Sequence, residues 1–283
     1  MTETRTDAMQ TDSDWEHLAK ADAYWAVLTH EEFRRKNLNE QSRASFFASG
    51  EEEIRDTFAA LRAQVDPAFS PQRALDFGCG VGRLSLPLSQ RCAEVVGVDV
   101  SDTMLREAAA NCQISGVRNV TLVKGDDELS GVGGLFDLVH TYIVLQHVPV
   151  ERGTRIFRRL VELVKPGGCG AIHITYASPV FRCDPPPEPP PPPERSRLNL
   201  LARAVLRPIV RPIRQRLLAR RVPTPAPTRP VKLSAPEMQM NEYSLNVLFR
   251  ILQDARVERF HTQFTNHGGW CGVQLFFRKD ERK

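Results

Sequence analysis

The sequence predicts an α/β protein whose core is a doubly wound, largely parallel sheet with helices on both faces. Residues 74–77, which are apolar except for Asp76, end a buried strand, and a helix-forming stretch follows at 84–90. Between them glycines stand at alternate positions, Gly78, Gly80 and Gly82. Apolar runs and helical patterns then alternate along the chain, which is typical of βαβ units and a parallel sheet.

The glycine loop after the first strand indicates a ligand site. Glycine has no Cβ, so a turn built from it can adopt positive φ and lets a ligand lie against the backbone. Strand, glycine turn and helix start together open a dinucleotide-type βαβ unit. Asp76 precedes the loop at a buried position, so it needs a polar partner; its alternative role is to cap the strand.

The second strand also ends in an acid. Residues 95–98 predict a buried strand that ends at Asp99, 21 residues after Gly78. A carboxylate at that strand end can accept hydrogen bonds from both hydroxyls of a ribose, and its alternative role is to cap a helix. Ser101 is expected to be the N-cap of the helix over 102–111.

The remaining elements of the core follow in the same alternation. A third strand closes in Gly125, Asp126 and Asp127, where the two acids have a solvated turn as their alternative. The elements after it are a fourth strand, a helix, a stop signal of Pro-Gly-Gly type and a fifth strand, at 136–144, 151–164, 165–168 and 169–176.

The two ends of the chain extend this core, which we place at 71–183. Residues 1–14 are polar, carry mixed charge and contain no apolar signal segment, so we expect a disordered tail. Residues 15–70 predict an N-terminal helical cap, in which Ser49 and Glu52 form the pattern of a capping box. Residues 237–283 predict a helix and two strands that complete the sheet.

Residues 184–236 have a different composition and are expected to be an insertion. Fifteen of the 21 prolines lie between Pro185 and Pro236, and residues 195–221 contain nine arginines and no acid. Without those nine arginines the chain has 29 basic and 34 acidic residues, so its positive net charge of +4 comes from this segment. Apolar residues recur every three or four positions among the arginines, which favours a basic amphipathic helix that contacts an anionic membrane surface. A lid or an unstructured spacer is the alternative.

Composition excludes several classes of protein. No apolar run approaches the roughly 18 residues of a membrane span. The six cysteines are scattered without C-x-x-C pairs, which argues against structural zinc or a disulfide scaffold and suits a reducing cytoplasm. The protein is therefore expected to be cytoplasmic, with peripheral contact at the inner membrane surface through 195–221.

The motifs in their order resemble those of class I S-adenosylmethionine-dependent methyltransferases. The loop reads G-x-G-x-G after an acid, which differs from the G-x-G-x-x-G of nicotinamide enzymes, and the resemblance covers roughly residues 70–178. It implies a Rossmann-like sheet of seven strands in the order 3-2-1-4-5-7-6 with the last strand antiparallel. It also implies S-adenosyl-L-methionine as cofactor.

The resemblance assigns expected roles to the strand ends. The cofactor-binding residues would contact the methionine part, the ribose and the adenine in turn: Asp76, Gly78, Gly80, Gly82, Asp99, Val100, Asp126, Asp127 and Tyr142. Asp76 would meet the methionine ammonium, Asp99 the ribose, and Asp126 the adenine amine.

Catalysis on a hydroxyl acceptor needs a group that removes its proton, and three residues are candidates. Ligands in this fold sit outside the carboxyl ends of the strands, which selects Tyr142 and His147 after the fourth strand and His267 between the last two. His140 and His173 lie inside strands, where a core role is favoured. No metal site is expected, because the fourth strand has no paired acids at its end.

The fourth strand is also followed by neither Asn-Pro-Pro-Tyr nor Pro-Cys, which argues against methylation of nucleobases. The sequence thus predicts methylation of a small molecule or glycan, most simply on oxygen. Two alternatives stay open. One is a nucleic-acid-modifying methyltransferase that uses the arginines of the insertion, and the other is a non-catalytic module that binds S-adenosylmethionine. The sequence does not indicate an oligomeric state.

Overall fold

The structure is a computed structural model that describes residues 3–178, 238–257 and 259–281. The chain divides into one unit of residues 1–182 and 235–283 and a second unit of residues 183–234. The second unit lies outside the described residues, and so does the whole expected insertion, 184–236, with its arginine-rich segment.

The core is a seven-stranded sheet in the order β3-β2-β1-β4-β5-β7-β6. The first five strands are parallel, and β7 runs antiparallel to both β5 and β6. This confirms the predicted fold class and strand order. The strands β1 to β7 are Arg73–Phe77, Glu94–Asp99, Val120–Lys124, Phe136–Thr141, Val164–Ala177, Arg259–His267 and Trp270–Arg278.

Six helices surround the sheet in the described part of the chain. The helices α1 to α6 are Glu3–Val27, Glu40–Gln64, Ser85–Ser89, Asp102–Ile114, Val150–Leu163 and Leu245–Asp254. Ser101 caps α4 as predicted, because its side chain accepts a hydrogen bond from the Met104 amide. Single 3₁₀ turns at Glu31–Phe33 and Leu145–His147 complete the elements. Among the described residues, no helix has the length and apolar character needed to cross a membrane.

Alternation along the strands gives the sheet two apolar faces. One face packs against α5 and α6 through residues such as Phe157, Leu160 and Leu248. The other packs against α2 and α3 through residues such as Ile54 and Leu88. Both faces are covered, as expected for a parallel sheet.

The N-terminal region differs from its prediction. Helix α1 begins at Glu3, so residues 3–14 are helical where a disordered tail was expected. Contacts distant in sequence explain the difference: Thr11 is buried, and Asp12 pairs with Arg152 of α5. The helix is kinked at Asp22, whose φ of −163° and ψ of 82° are not helical.

Helix α2 begins earlier than the Ser49–Glu52 pattern indicated. The capping box is formed by Asn39 and Ser42, each of whose side chains bonds the backbone of the other. Ser49 lies inside the helix, where its hydroxyl donates to the Phe46 carbonyl at 2.7 Å. That bond satisfies the hydroxyl without interrupting the helix.

Candidate functional site

A pocket opens at the carboxyl ends of β1, β2 and β4, with the glycine loop at its base. Gly78 and Gly80 both have positive φ, 74° and 53°. The amides of Gly78 and Cys79 donate to the Val98 carbonyl at 2.8 and 2.9 Å, which ties the loop to β2. A Cβ on Gly78 would lie 2.6 Å from Val144 Cγ1, so only glycine fits there.

Asp99 joins the glycine loop to the end of β2. Its carboxylate accepts hydrogen bonds from the Gly80 amide at 2.9 Å and from the Ser101 amide at 2.8 Å. Burial raises the pKa of Asp99 to about 6, against the opposing effect of these two bonds. Asp99 and Val100 both line the pocket, and the carboxylate retains acceptor positions for a ligand hydroxyl.

Asp76, which was expected to meet a methionine ammonium, is not among the residues that line the pocket. It is 1% exposed and is satisfied by protein groups. Ser85 Oγ donates to Asp76 at 2.6 Å, and His140 Nδ1 lies 3.2 Å from the other carboxylate oxygen. The side-chain period of the strand explains this, since Asp76 points to the same face as Ala74, towards α2 and α3. His140 is fully buried, in agreement with a core role.

Gly82 shapes the turn between the loop and α3. Its φ is +86°, which favours glycine. A Cβ there would lie 3.5 Å from the Ala108 Cβ of α4, an ordinary van der Waals contact. Gly82 is not among the residues that line the pocket.

Asp126 and Asp127 have different surroundings. Asp126 is exposed and lies at the pocket edge. Its carboxylate accepts from the Ser130 hydroxyl and from the amides of Ser130 and Glu128, and these bonds lower its pKa. Asp127 pairs with Arg152 Nη2 at 2.6 Å. Asp126 thus also has the turn-forming role that was its alternative, whereas Asp127 is held by an ion pair.

Helix α1 forms a wall of the pocket that the sequence did not indicate. Thr11, Asp12 and Trp15 line the pocket, and so does Arg152. The Arg152 guanidinium holds Asp12 at 2.8 and 3.1 Å while it also pairs with Asp127.

A second anchor joins α1 to the start of α4. The Glu16 carboxylate accepts from Ser101 Oγ at 2.6 Å, from the Thr103 amide at 3.0 Å and from Thr103 Oγ1 at 2.8 Å. Burial acts to raise the pKa of Glu16, but these hydrogen bonds prevail and lower it to about 2.

His147 lines the pocket, but both of its ring nitrogens are engaged. Nδ1 lies 2.8 Å from the Gln239 carbonyl, which it can bond only as a donor, and Nε2 lies 3.2 Å from Gln146 Nε2. The ring also packs edge-on against Trp15 at 5.0 Å between centroids. Burial lowers the pKa of His147 to about 4. This arrangement favours a neutral, structural histidine.

Tyr142 and His267 belong to one cluster of ring side chains, and His267 is not among the residues that line the pocket. Tyr142 lines the pocket, and its ring lies 6.0 Å from that of His267 and 5.1 Å from that of His173. Burial raises the pKa of Tyr142, and the adjacent Glu53 carboxylate raises it further.

The two histidines of this cluster differ in their hydrogen bonds. His173 Nε2 lies 2.8 Å from Thr265 Oγ1, and a Cβ on Gly272 would approach that nitrogen to 2.5 Å. His267 Nε2 is buried and has no hydrogen-bond partner among the described residues. Burial lowers the pKa of both imidazoles, that of His173 to about 3. His173 is 1% exposed, so its predicted core position is confirmed.

Comparison with known proteins identifies the domain. Residues 74–168 match a family model described as a methyltransferase domain. Over 109 residues the chain is 35% identical to a ubiquinone biosynthesis O-methyltransferase of Xanthomonas axonopodis pv. citri, with 38% of this chain and 44% of that protein covered. A magnesium-protoporphyrin O-methyltransferase of Synechocystis is 38% identical over 89 residues, covering 31% of this chain and 38% of that protein.

Solved structures share the fold at low sequence identity. Magnesium protoporphyrin IX methyltransferase from Synechocystis PCC 6803, crystallised with bound SAH, is 19% identical with a TM-score of 0.52, covering 86% of this chain and 89% of that one. N-methyltransferase NodS from Bradyrhizobium japonicum WM9, in complex with S-adenosylhomocysteine, is 14% identical with a TM-score of 0.50, covering 95% and 100%.

The fold and the pocket define an α/β domain of the type that binds nucleotide-like ligands at its strand ends. Residues 74–168 match a methyltransferase domain, and the sheet around them has the strand order implied by the resemblance to class I S-adenosylmethionine-dependent methyltransferases. The matched segments span less than half the length of the two curated relatives described above.

Proposed function

We propose that this protein transfers the methyl group of S-adenosylmethionine to an oxygen atom of a small organic molecule. The observation that carries the proposal is the arrangement of the glycine loop and Asp99 at the edge of the pocket. The transfer to oxygen is supported by the two relatives described above, which are named as O-methyltransferases.

The residues present fit the cofactor. A Cβ on Gly80 would lie 2.8 Å from Val27 Cγ2, so this glycine leaves a narrow space between the loop and α1. Asp99 would accept hydrogen bonds from the ribose, Val100 and Asp126 would lie beside the adenine, and Gly78 would contact the methionine part. When bound, S-adenosylmethionine supplies a methyl group that its sulfonium makes electrophilic.

The task of the protein is then to position and desolvate the acceptor. Tyr142 lines the pocket directly after β4, and in this proposal it would limit the space beside the methyl group. A hydroxyl acceptor must also lose a proton. We assign that proton to His267 Nε2, which is buried without a hydrogen-bond partner among the described residues and whose ring packs against that of Tyr142 on the pocket wall. His147 is a weaker candidate because its two nitrogens are occupied.

The first experiment separates binding from turnover. Calorimetry with S-adenosylmethionine and S-adenosylhomocysteine tests cofactor binding. A methyl-donor consumption assay over phenols, carboxylic acids, sugars, lipids and RNA then tests transfer. Binding with turnover on a small hydroxyl compound is expected. Turnover on RNA alone would favour the nucleic-acid alternative, and binding without turnover would favour the non-catalytic module.

The second experiment tests the base. The pKa of His267 lies below its usual 6.5, so kcat/KM should fall as the pH drops through that lowered value and stay level above it. His267→Gln should remove this acidic limb and lower kcat by about 10²- to 10⁴-fold. His261→Gln, on the same strand β6, is the matched control. An unchanged pH profile in His267→Gln would exclude this assignment.

We also propose that residues 195–221 bring the protein to anionic membranes from the cytoplasm. Nine arginines without an acid support this, since each is worth about 1 kcal/mol near an anionic surface. Sedimentation with anionic and neutral vesicles, run beside an RNA gel shift, tests it. Retention on anionic vesicles that weakens with salt is expected. Retention on neither vesicles nor RNA at low salt would contradict it.

A further inference from the structure

Strand β6 is the outermost strand of the sheet, and none of the roles above uses its free edge. In the described part of the chain, β6 pairs with β7 on one side and no strand pairs with it on the other. It is nine residues long. A strand in this position presents a row of backbone N–H and C=O groups that can pair with another strand.

The hairpin that joins β6 to β7 determines which backbone groups point outward. Its two-residue turn, 268–269, has positive φ at both positions, and His267 lies opposite Trp270. In such a hairpin the residues that flank the turn form a hydrogen-bonded pair, and bonded and non-bonded pairs alternate from there along the ladder. The even-numbered residues of 260–266 therefore direct their N–H and C=O groups away from β7.

The edge lacks the features that keep exposed strands apart. Natural edge strands are protected by lysine, by proline or by bulges. Residues 259–267 contain neither lysine nor proline, and their register with β7 is free of bulges. Two large apolar side chains are exposed instead, Phe260 at 43% and Phe264 at 74%. This edge is therefore suited to pairing.

These two phenylalanines belong to a larger aromatic surface. The Phe264 ring lies 6.3 Å from that of Tyr176 in β5, and the Phe260 ring lies 5.1 Å from that of Phe249 in α6. Phe260 and Phe264 are four positions apart on one strand, so they share a face of the sheet. We call these four residues the aromatic edge. A cluster of exposed aromatic side chains of this kind marks an interaction surface.

The pattern of β6 is complementary to itself. When two copies of β6 pair antiparallel about a two-fold axis at Thr262, Phe260 of each copy lies opposite Phe264 of the other. This register joins the outward-pointing backbone groups of both strands, because all three positions are even-numbered. Aromatic pairs are among the most stabilising cross-strand neighbours.

Charge does not oppose this pairing. Residues 259–267 contain one arginine and no acid. In the register about Thr262, the two copies of Arg259 lie at opposite ends of the ladder, about 20 Å apart. That separation exceeds the Debye length of ~8 Å at physiological salt, so their repulsion is screened.

We propose that two copies of this protein associate through their β6 edges, so that the two sheets join into one across a two-fold axis at Thr262. A second copy is the occupant that the self-complementary order of Phe260 and Phe264 favours. The inference is independent of the proposed function, because it needs neither the cofactor nor an acceptor.

Sedimentation equilibrium over a concentration series measures the association of the full chain. Phe264→Lys places a charge in the aromatic edge. Thr262→Pro removes an outward N–H while it leaves the bonds to β7 in place. The control is Ile114→Lys, because Ile114 is 76% exposed and ends α4, which packs beside β3 at the opposite edge of the sheet.

The unmodified chain and Ile114→Lys should sediment at twice the 31.9 kDa of one chain. Phe264→Lys should weaken the dimer by more than about 100-fold, since the two-fold axis repeats the lost aromatic contact. Thr262→Pro should also sediment as a monomer. Circular dichroism should show that both variants keep the fold, because both positions lie at the free edge.

A cysteine at the axis tests the register. Thr262→Cys places the new thiol opposite its own copy at a Cα separation of ~5.5 Å, which a disulfide can bridge. Oxidation with copper–phenanthroline should therefore give more covalent dimer with Thr262→Cys than with the unmodified chain.

Three results would overturn the proposal. An unmodified chain that is monomeric at every concentration would show that no second copy pairs with the edge. A dimer that Phe264→Lys and Thr262→Pro leave unchanged would show association through a different surface. Failure of Thr262→Cys to form more covalent dimer than the unmodified chain would contradict the two-fold axis at this residue.

Discussion

Glu16 allows a quantitative test of how α1 is held against the rest of the domain. Its carboxylate is the acceptor for Ser101 and Thr103 at the start of α4, and the pKa in the folded protein is about 2 against an ordinary 4.5. The folded state therefore favours the ionised form. The stabilisation is fully present above pH 4.5 and is lost as the pH falls towards 2.

The magnitude follows from that difference. Each pKa unit corresponds to about 1.4 kcal/mol, so the difference between 4.5 and 2 gives an upper value of about 3.4 kcal/mol at pH 7, which solvent screening reduces at this partly exposed side chain. Glutamine keeps one acceptor oxygen but not the charge. We therefore expect Glu16→Gln to lower the free energy of unfolding by about 2 kcal/mol at pH 7.

Urea unfolding at pH 7 and pH 3 measures this effect. The gap between the unmodified chain and Glu16→Gln should shrink by more than half at pH 3, because the wild-type carboxylate then loses most of its advantage. Glu52→Gln is the control, because Glu52 is exposed and its ion pair with Arg55 is long, at 3.9 Å. A gap that stays constant between the two pH values would refute the role given to the Glu16 charge.

Two further predictions concern stability. His147 has a pKa of about 4 in the folded protein, below its unfolded 6.5, so the unfolded state binds one more proton between these values. His147 should therefore lower the free energy of unfolding by about 1.4 kcal/mol per pH unit from pH 6.5 towards 4. His173 and His267, whose pKa values are also lowered, add to the slope, so His147→Gln should remove only its own contribution in urea titrations; an unchanged slope would contradict the buried, neutral histidine. Gly153 of α5 faces the Tyr243 hydroxyl, which donates to the Leu145 and Val148 carbonyls at 2.8 Å. Gly153→Ala should destabilise the protein by about 1–3 kcal/mol in thermal unfolding, and Thr154→Ala, at a half-buried neighbour, should have a much smaller effect.

The sheet could be predicted because its signals are local. Each parallel strand is a short apolar run that ends in an acid, a glycine or a polar turn, and each helix between strands has its own period. The C-terminal helix and hairpin follow the same rules, with Gly268 and Gly269 both at positive φ in the turn. Strand order came only from the resemblance to a family.

The N-terminal helix could not be predicted because its stabilising contacts are distant. Asp12 and Arg152 are 140 residues apart. A polar segment without an apolar stripe gives no sign of such partners, and so a tail was expected. The Ser49–Glu52 pattern failed for a related reason, because a stronger cap at Asn39 starts the helix ten residues earlier.

The sequence predicted where the site lies in the fold, but not which side chains contact one another within it. The position of Asp99 at the pocket follows from its strand end, and so does that of Gly78. The direction of Asp76 depends on Ser85 and His140, which meet it only in the folded sheet. The contact between His173 and His267 requires β7 to lie between β5 and β6, a topology without a local signal.

The central claim is that the glycine loop and Asp99 bind S-adenosylmethionine, and calorimetry on Asp99→Ala tests it most directly. Removing the carboxylate should weaken binding by roughly 10- to 150-fold. The affinity of the unmodified chain should also fall as the pH drops through about 6, where Asp99 becomes protonated. The control is Asp102→Ala, which removes an exposed acid at the start of α4 that pairs with Lys124 of β3, and this variant should bind normally. An Asp99→Ala protein that is folded and binds S-adenosylmethionine with unchanged affinity would contradict the account.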